Sequence, residues 1–254
     1  MQCHILPSVF GTPVFFTGPD LSLGPMPALF YFSLSGEESL CLEPYNSPIS
    51  LLSSRLIRIF SLHLPGHEMS LEKAMGLAYW AQEIKAGNDV IAEFVGKLSI
   101  VVERLLQQDV LIPGKIAVAG LSRGAFIATH AAAAIKDLDP ILGFAPLTDL
   151  RLSKEFQEIH HLPLLEALDL TQLVDPLIGR TLRFYIGNCD SLVGTDRCFR
   201  FIERLSQAAY HKRIRSPQVE LFITPSIGHR GHGTSPEIFQ SGSAWIAKML
   251  EAPT

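Results

Sequence analysis

Residues Lys115–Lys136 read KIAVAGLSRGAFIATHAAAAIK, and this stretch decides the fold. An apolar run at Ile116–Ala119 stops at a glycine, and a segment rich in alanine begins just after Gly124. This order predicts a buried strand, a tight turn and a helix. The turn contains Gly120–Gly124, GLSRG, which has the pattern G-x-S-x-G. The glycines on either side of Ser122 let the strand and the helix approach closely, because glycine has no Cβ.

A serine on such a turn is a candidate nucleophile. The sharp bend places the Ser122 hydroxyl above the edge of a sheet. The helix that follows brings the positive end of its dipole and free N–H groups beneath an incoming oxyanion. Because the same pentapeptide also occurs in ordinary βα turns with a surface serine, the functional interpretation depends on partners elsewhere in the chain.

The composition favours an α/β domain with a large core and a small-molecule substrate. The chain has 254 residues, of which 47% are hydrophobic and 18% are charged. Its net charge of −4 predicts neither nucleic acid nor a membrane surface as a partner. We interpret the basic cluster at His211–Arg215 as a solvated loop between a predicted helix and a predicted strand.

The sequence predicts a cytoplasmic protein. No apolar stretch reaches the length that spans a bilayer, and the first residues lack the basic and apolar regions of a secretory signal peptide. The cysteines show no C-x-x-C spacing, so a disulfide framework is not expected. They are Cys3, Cys41, Cys189 and Cys198.

Strands and helices alternate from about residue 56 onward. Before that, residues 1–28 are punctuated by proline and glycine, which predicts one or two edge strands in a hairpin. The later alternation predicts a mostly parallel central sheet with helices on both faces. We expect residues 1–254 to form a single domain without a large inserted lid.

Polar side chains that suit nucleophilic catalysis follow several of these predicted strands. Because the carboxyl ends of parallel strands meet at one edge of a sheet, the loops there can bring Ser122, Asp149, Asp190 and His229 together. A serine hydroxyl needs a base within hydrogen-bond reach and a third group that orients the base. In the chain order Ser, acid, His, we predict Ser122 as nucleophile, Asp190 as the orienting acid and His229 as general base and then acid.

Two of these roles have an alternative. His232 lies three residues beyond His229, in GHRGHG. We prefer His229 as the base because it follows the last predicted strand at the shorter distance. Asp149, which follows an earlier predicted strand, is the alternative to Asp190 as the acid.

The oxyanion hole requires two N–H donors directed at the position where negative charge develops. We predict the Arg123 backbone amide as the first donor, because it directly follows the nucleophile. The loop Ser33–Gly36 supplies the second, with the Leu34 amide as the preferred candidate. The Arg123 side chain either attracts a substrate carboxylate or holds a neighbouring loop.

No cofactor or metal is predicted. His63 and His67 have the spacing of a metal-binding pair, but they lie on either side of a Pro-Gly turn and no third ligand is near in sequence. The glycine-rich patterns that bind nucleotide phosphates do not occur.

The chain resembles the α/β-hydrolase superfamily over nearly its whole length. Four segments carry the likeness: LPGHE at Leu64–Glu68, GLSRG at Gly120–Gly124, GNCDSLV at Gly187–Val193 and PSIGH at Pro225–His229. The last two are most similar to the dienelactone hydrolase and prolyl-oligopeptidase-like esterase branch. The resemblance implies an α/β-hydrolase fold, a metal-free Ser-His-Asp mechanism and an acyl-enzyme intermediate. Many relatives have His-Gly at the first oxyanion loop, where this chain has Ser33–Gly36.

These observations predict a cofactor-independent serine hydrolase that cleaves a small ester, thioester or acyl-peptide. A carboxylesterase is favoured over a peptidase, because the sequence shows no additional domain that would filter substrates by size. The alternatives are a hydrolase-like protein that binds a ligand without turnover, and an acyltransferase that uses the same three residues.

Overall fold

The computed structural model of the protein describes residues 3–6, 11–67 and 75–252. Eight strands form one sheet in the order β1-β2-β4-β3-β5-β6-β7-β8. The strands are β1 His4–Leu6, β2 Val14–Thr17, β3 Met26–Phe32, β4 Arg58–Leu62, β5 Leu111–Leu121, β6 Ile141–Phe144, β7 Leu182–Gly187 and β8 Val219–Thr224. Neighbouring strands from β4 to β8 pair in parallel, whereas β2 is antiparallel to both β1 and β4. The predicted N-terminal edge hairpin and mostly parallel sheet are therefore confirmed.

Nine α-helices are found in the described part of the chain. They are α1 Gly36–Cys41, α2 Ser47–Leu52, α3 Gly76–Lys85, α4 Val90–Gln107, α5 Arg123–Ala134, α6 Pro163–Ala167, α7 Val174–Leu177, α8 Thr195–His211 and α9 Pro236–Glu251. Two of them begin at residues that favour a helix N-terminus in the sequence. The Asp89 side chain caps α4, and Ser235 with Pro236 starts α9.

The sheet is covered on both faces, as predicted, because its central strands are apolar on both sides. Phe30 of β3 and Phe60 of β4 belong to a core cluster that includes residues of α3, α4, α5 and α8. Leu29 and Ile59, which alternate with them along the same strands, belong to a second cluster with residues of α2 and α9. Successive side chains of a strand point to opposite faces, so each strand contributes to both clusters.

The two glycines of the G-x-S-x-G turn lie where helix α5 crosses its strands closely. A Cβ on Gly124 would overlap the carbonyl oxygen of Phe32, and a Cβ on Gly120 would overlap the backbone of Gly124. This steric constraint is the reason for glycine at both positions, since neither has a positive φ. The close approach holds the start of α5 directly above the end of β5.

Three helix boundaries can be compared with what the sequence predicts. Ser70 is the predicted N-cap of a helix that ends near Ala86, and this cap lies outside the described residues. The sequence also predicts a helix over 164–173, which is divided between α6 and a 3₁₀ turn at Leu170–Leu173, because the Asp169 carboxylate caps that turn by accepting from the Thr171 N–H. Thr195 is the predicted N-cap of α8, but the N-cap is Gly194, and the Thr195 hydroxyl donates to the Gly187 carbonyl instead.

Among the described residues, no helix combines the length and the apolar character needed to cross a lipid bilayer.

A buried histidine on α5 makes stability depend on pH. His130 Nε2 donates to the Leu168 carbonyl oxygen at 3.0 Å, and burial lowers the pKa of His130 from 6.5 to about 4. The folded protein therefore keeps this ring neutral between pH 6.5 and about 4, whereas the unfolded chain takes up a proton. Stability from this group is present above pH 6.5 and decreases as the pH falls.

We expect lowering the pH from 7 to 4.5 to reduce the free energy of unfolding by on the order of 2 kcal/mol through His130 alone. The variant His130→Gln keeps an N–H donor but cannot titrate, so its stability should fall less steeply over this pH range in urea titrations. The exposed His211→Gln is the matched control and should retain the wild-type slope. Equal slopes for all three proteins would contradict this assignment.

Candidate active site

Ser122 occupies a backbone conformation that few residues adopt. Its φ is 56° and its ψ is −115°, and it directly precedes α5. The Ser122 N–H donates to the Phe144 carbonyl at 2.8 Å, and its carbonyl accepts from the Ala125 N–H at 3.0 Å. These bonds to β6 and α5 stabilise a conformation that costs about 1–3 kcal/mol elsewhere. The hydroxyl is thereby held at the carboxyl edge of the sheet.

His232 joins the Ser122 hydroxyl to the Asp190 carboxylate. His232 Nε2 lies 2.9 Å from Ser122 Oγ, and His232 Nδ1 lies 2.7 Å from Asp190 Oδ2. Because an ionised carboxylate only accepts hydrogen bonds, Nδ1 carries the proton and Nε2 accepts from the serine hydroxyl. The His232 side chain is 20% exposed, so the ring borders solvent on one side.

Asp190 is fixed by the turn that follows β7. Its side chain is 0% exposed, and its Oδ1 accepts from the backbone N–H groups of Leu192 and Val193 at 3.0 and 3.2 Å. The Asp190 N–H donates to Thr195 Oγ1, which in turn donates to the Gly187 carbonyl. One carboxylate oxygen is thus held by the turn, and the other is available to His232.

The structure corrects the expected position of His229, which was preferred as the base. His229 is exposed, and among the described residues no hydrogen bond joins it to Ser122 or Asp190. The alternative, His232, has that place. The distance from the end of the last strand therefore did not indicate which of the two histidines lies at Ser122.

The path of the loop after β8 explains the difference. Residues His229–Gly231 form a 3₁₀ turn in which Arg230 has a φ of 56°, between Gly228 at 71° and Gly231 at 78°. A Cβ on Gly231 would overlap the Cys189 carbonyl, so this glycine lets the histidine loop lie against the acid loop. The extra turn takes His229 outward and returns the chain inward at His232. The sequence signal was the second glycine of GHRGHG.

Asp149 belongs to a different group of charges. Its carboxylate accepts from Arg151 Nε at 2.8 Å and from Arg151 Nη2 at 3.1 Å, and Arg197 lies 3.9 Å away. Arg151 also forms an ion pair with Asp169. The alternative acid is therefore engaged in an ion-pair network, while the predicted acid, Asp190, lies at the histidine.

The two predicted oxyanion donors differ in what they contact. No acceptor among the described residues takes the backbone N–H of Arg123. The Leu34 N–H, in contrast, donates to Ser39 Oγ at 3.0 Å, as does the N–H of Ser33. The Leu34 N–H, which was the expected second oxyanion donor, is therefore already bonded to a side chain of α1. Sequence reasoning missed Ser39, whose hydroxyl folds back onto this loop.

Two clefts meet at Ser122, and Arg123 and His232 line both of them. The first, of about 390 Å³, is mainly apolar; we call it the apolar cleft, and its walls include Leu34, Pro44 and Phe239. The second, of about 410 Å³, we call the polar cleft, and its walls include Lys154, Glu155, Gln157 and Arg230. A third cavity of about 490 Å³, beside His130, shares no lining residue with either cleft.

The Arg123 side chain extends from the first residue of α5 toward a buried histidine. Arg123 Nη1 lies 3.3 Å from His67 Nε2. Burial and the nearby guanidinium lower the pKa of His67 to about 4, so the ring is neutral near pH 7 and accepts from Arg123. His63 bonds separately, its Nδ1 accepting from the Gly36 N–H. Within the described residues, no three His, Cys, Asp or Glu side chains are grouped to hold a metal ion.

The parallel sheet, the strained serine between β5 and α5, and a histidine and an aspartate after the last two strands are together the arrangement of the α/β-hydrolase fold. Solved structures support this class. TT1662 from Thermus thermophilus aligns over 100% of both chains with a TM-score of 0.72 and 21% identity.

Two further structures are of proteins with a named activity. A cold-adapted esterase from an Arctic intertidal metagenomic library aligns with a TM-score of 0.66 and 16% identity, over 98% of this chain and 93% of its own. A puromycin-hydrolyzing peptidase from Mycobacterium tuberculosis aligns with a TM-score of 0.65 and 18% identity, over 98% of this chain and 40% of its own. No model of a known protein family and no curated sequence matches the chain. The chain thus has the α/β-hydrolase fold.

Proposed function

We propose that this protein is a cofactor-independent serine hydrolase that cleaves a small carboxylic ester or a related acyl compound. The observation that carries the proposal is the continuous hydrogen-bonded line from Ser122 Oγ through His232 to Asp190, at 2.9 and 2.7 Å. Such a line converts a weakly nucleophilic hydroxyl into a reactive one.

In the acylation step, Ser122 Oγ attacks the carbonyl carbon of the substrate while its proton moves to His232 Nε2. The Arg123 amide donates to the oxygen on which negative charge develops. Asp190 accepts from Nδ1–H, which keeps the ring in the required tautomer and stabilises the imidazolium. Collapse of the tetrahedral intermediate breaks the bond to the leaving group, and His232 donates its proton to that group.

The deacylation step uses the same groups. Water replaces the leaving group, and His232 Nε2 removes a proton from it as it attacks the acyl carbon of the Ser122 ester. Collapse of the second tetrahedral intermediate releases the acid and returns the proton to Ser122. The apolar and polar clefts provide space on two sides of the hydroxyl for the two halves of a substrate.

The structural neighbours include an esterase and a peptidase, which is consistent with a hydrolase. One observation favours a second candidate, a protein that binds a ligand without turnover. The Leu34 N–H is engaged by Ser39, so the loop contributes no free Leu34 amide to an oxyanion in this conformation. Transfer of the acyl group to an alcohol or amine uses the same residues and differs only in the product.

Labelling with a fluorophosphonate probe tests the proposed nucleophile directly. We expect stoichiometric labelling of the wild-type protein and complete loss in Ser122→Ala, because only a serine activated by its histidine attacks the phosphorus. Ser153→Ala is a matched control, since Ser153 lines the polar cleft and makes no side-chain cap. Mass spectrometry of the intact protein gives the readout.

A series of 4-nitrophenyl esters of increasing acyl length tests turnover. The proposal requires hydrolysis of at least one ester and none above background in Ser122→Ala. A folded wild-type protein that neither reacts with the probe nor hydrolyses any ester, while esters raise its Tm, would support the binding alternative instead.

A further inference from the structure

The Arg123 guanidinium lies at the junction of the two clefts, and the described residues give it no carboxylate partner. It lines both clefts beside Ser122. Among the described residues, no carboxylate is within ion-pair distance of it, and its side chain has a single polar contact, with His67 Nε2. Glu155 lines the polar cleft without forming an ion pair with Arg123. Burial lowers the pKa of Arg123, and the nearby Tyr45 and Glu155 offset this effect only in part.

Other arginines of the chain are better compensated. The buried Arg58 donates to three backbone carbonyls, those of Pro19, Asp20 and Val110. Arg151 is held by two carboxylates. Since an uncompensated buried charge is costly, partners for these two guanidiniums stabilise the fold. Arg123 differs from both: among the described residues its side chain contacts only His67, and it borders both clefts.

The guanidinium is nevertheless held in place. His67 is 7% exposed, neutral near pH 7, and accepts from Arg123 Nη1. A Cβ on Gly76 would overlap both the Arg123 guanidinium and the His67 ring, so glycine at this position leaves room for the pair. The other guanidinium N–H groups have no acceptor among the described residues, and the planar fork matches the geometry of a carboxylate, which can accept two parallel bonds from it.

The polar cleft is positively charged. Of the residues that the structure describes, Lys154, Arg230 and Arg123 line it together with one carboxylate, that of Glu155. The protein as a whole has a net charge of −4. A locally positive cleft in a negatively charged protein favours an anionic group at this position.

Resting on the proposed function, we propose that the substrate carries a carboxylate on one side of its scissile carbonyl and an apolar group on the other. The carboxylate binds the Arg123 guanidinium in the polar cleft, and the apolar group lies in the apolar cleft, against Leu34 and Phe239. Arg123 then has two roles: its amide donates to the oxyanion, and its side chain selects the substrate.

A binding experiment tests the inference independently of turnover. Ser122→Ala protein is titrated calorimetrically with N-acetylphenylalanine and with N-acetylphenylalaninamide, which differ only in carboxylate against amide. We expect the carboxylate to bind roughly 10- to 100-fold more tightly. The preference should be lost in Ser122→Ala/Arg123→Met and retained in Ser122→Ala/Lys212→Met, which removes an exposed charge away from both clefts. Arg123→Lys should give an intermediate preference, because lysine lacks the fork.

Matched ester pairs show which half of the substrate carries the charge. Mono-4-nitrophenyl adipate against 4-nitrophenyl hexanoate tests the acyl half, and 4-acetoxybenzoate against phenyl acetate tests the leaving half. Within each pair, kcat/KM for the charged ester is divided by kcat/KM for the uncharged ester. This ratio is then compared between the wild type and Arg123→Met. We expect this ratio to fall roughly 10-fold or more in one pair on substitution.

The outcomes separate the two proposals. If the acid and the amide bind Ser122→Ala equally, the carboxylate inference is overturned, whatever the Arg123 variants show. In that case, labelling of Ser122 in the wild type would still support the hydrolase proposal. A carboxylate preference that depends on Arg123, in a protein that neither labels nor hydrolyses esters, supports the ligand chemistry and overturns the hydrolase proposal. Ester ratios that are unchanged in Arg123→Met for both pairs also overturn the inference.

Discussion

Replacing His232 with alanine is expected to lower kcat for ester hydrolysis by about 10³-fold or more, whereas His229→Ala should change it by less than about threefold. In the described part of the chain, only the His232 ring contacts both the Ser122 hydroxyl and the Asp190 carboxylate. Without it, the serine proton has no acceptor and the leaving group has no donor. His229 is exposed on the outer side of the same loop.

The two variants form a matched pair, because they remove the same side chain three positions apart in one loop. Steady-state kinetics with a 4-nitrophenyl ester give kcat, and thermal unfolding confirms that both variants fold. If His229→Ala were the inactive variant, the loop in solution would have to follow a different path from the one described, and the proposed base would be wrong.

Asp190→Asn is expected to reduce kcat by about 10³- to 10⁴-fold while leaving the protein folded. The amide keeps the shape of the carboxylate, but its NH₂ group cannot accept the hydrogen bond from His232 Nδ1–H, so the ring is no longer held in the productive tautomer. The backbone donors of Leu192 and Val193 still hold one oxygen. The loss should therefore appear in kcat more than in Tm.

Asp149→Asn should behave in the opposite way. Its carboxylate is buried against Arg151, so the substitution should lower the free energy of unfolding by about 2 kcal/mol. Its kcat, measured well below the Tm, should stay close to that of the wild type. A large fall in kcat for Asp149→Asn, with no effect of Asp190→Asn, would exchange the roles of the two acids.

The class of fold could be predicted from the sequence because its signals are local. An apolar run, a glycine turn and an alanine-rich segment at 115–136 correspond to β5 and α5. Proline-rich residues at the start correspond to the antiparallel edge strands. The boundaries were less well predicted where a capping contact outweighs propensity, as at the 3₁₀ turn beginning at Leu170.

The site could be predicted in part. Ser122 was identified by its flanking glycines, and Asp190 by its position after a strand; the structure places both at His232. The choice between the two histidines could not be made from spacing, because loop length does not specify the direction in which a loop turns. That direction depends on positive φ angles at 228, 230 and 231 and on the contact of Gly231 with Cys189.

By itself, the sequence determined the layered α/β architecture, the position of the serine turn and the set of residues from which the site is drawn. These follow from hydrophobic periodicity and from the conformations that glycine permits, which act over a few neighbouring residues. Only the tertiary structure decided that His232 is the histidine at Ser122, that Ser39 engages the Leu34 amide, and that the Arg123 guanidinium faces two clefts beside a neutral His67. Each of these depends on packing between segments far apart in the chain, and no local pattern encodes such packing.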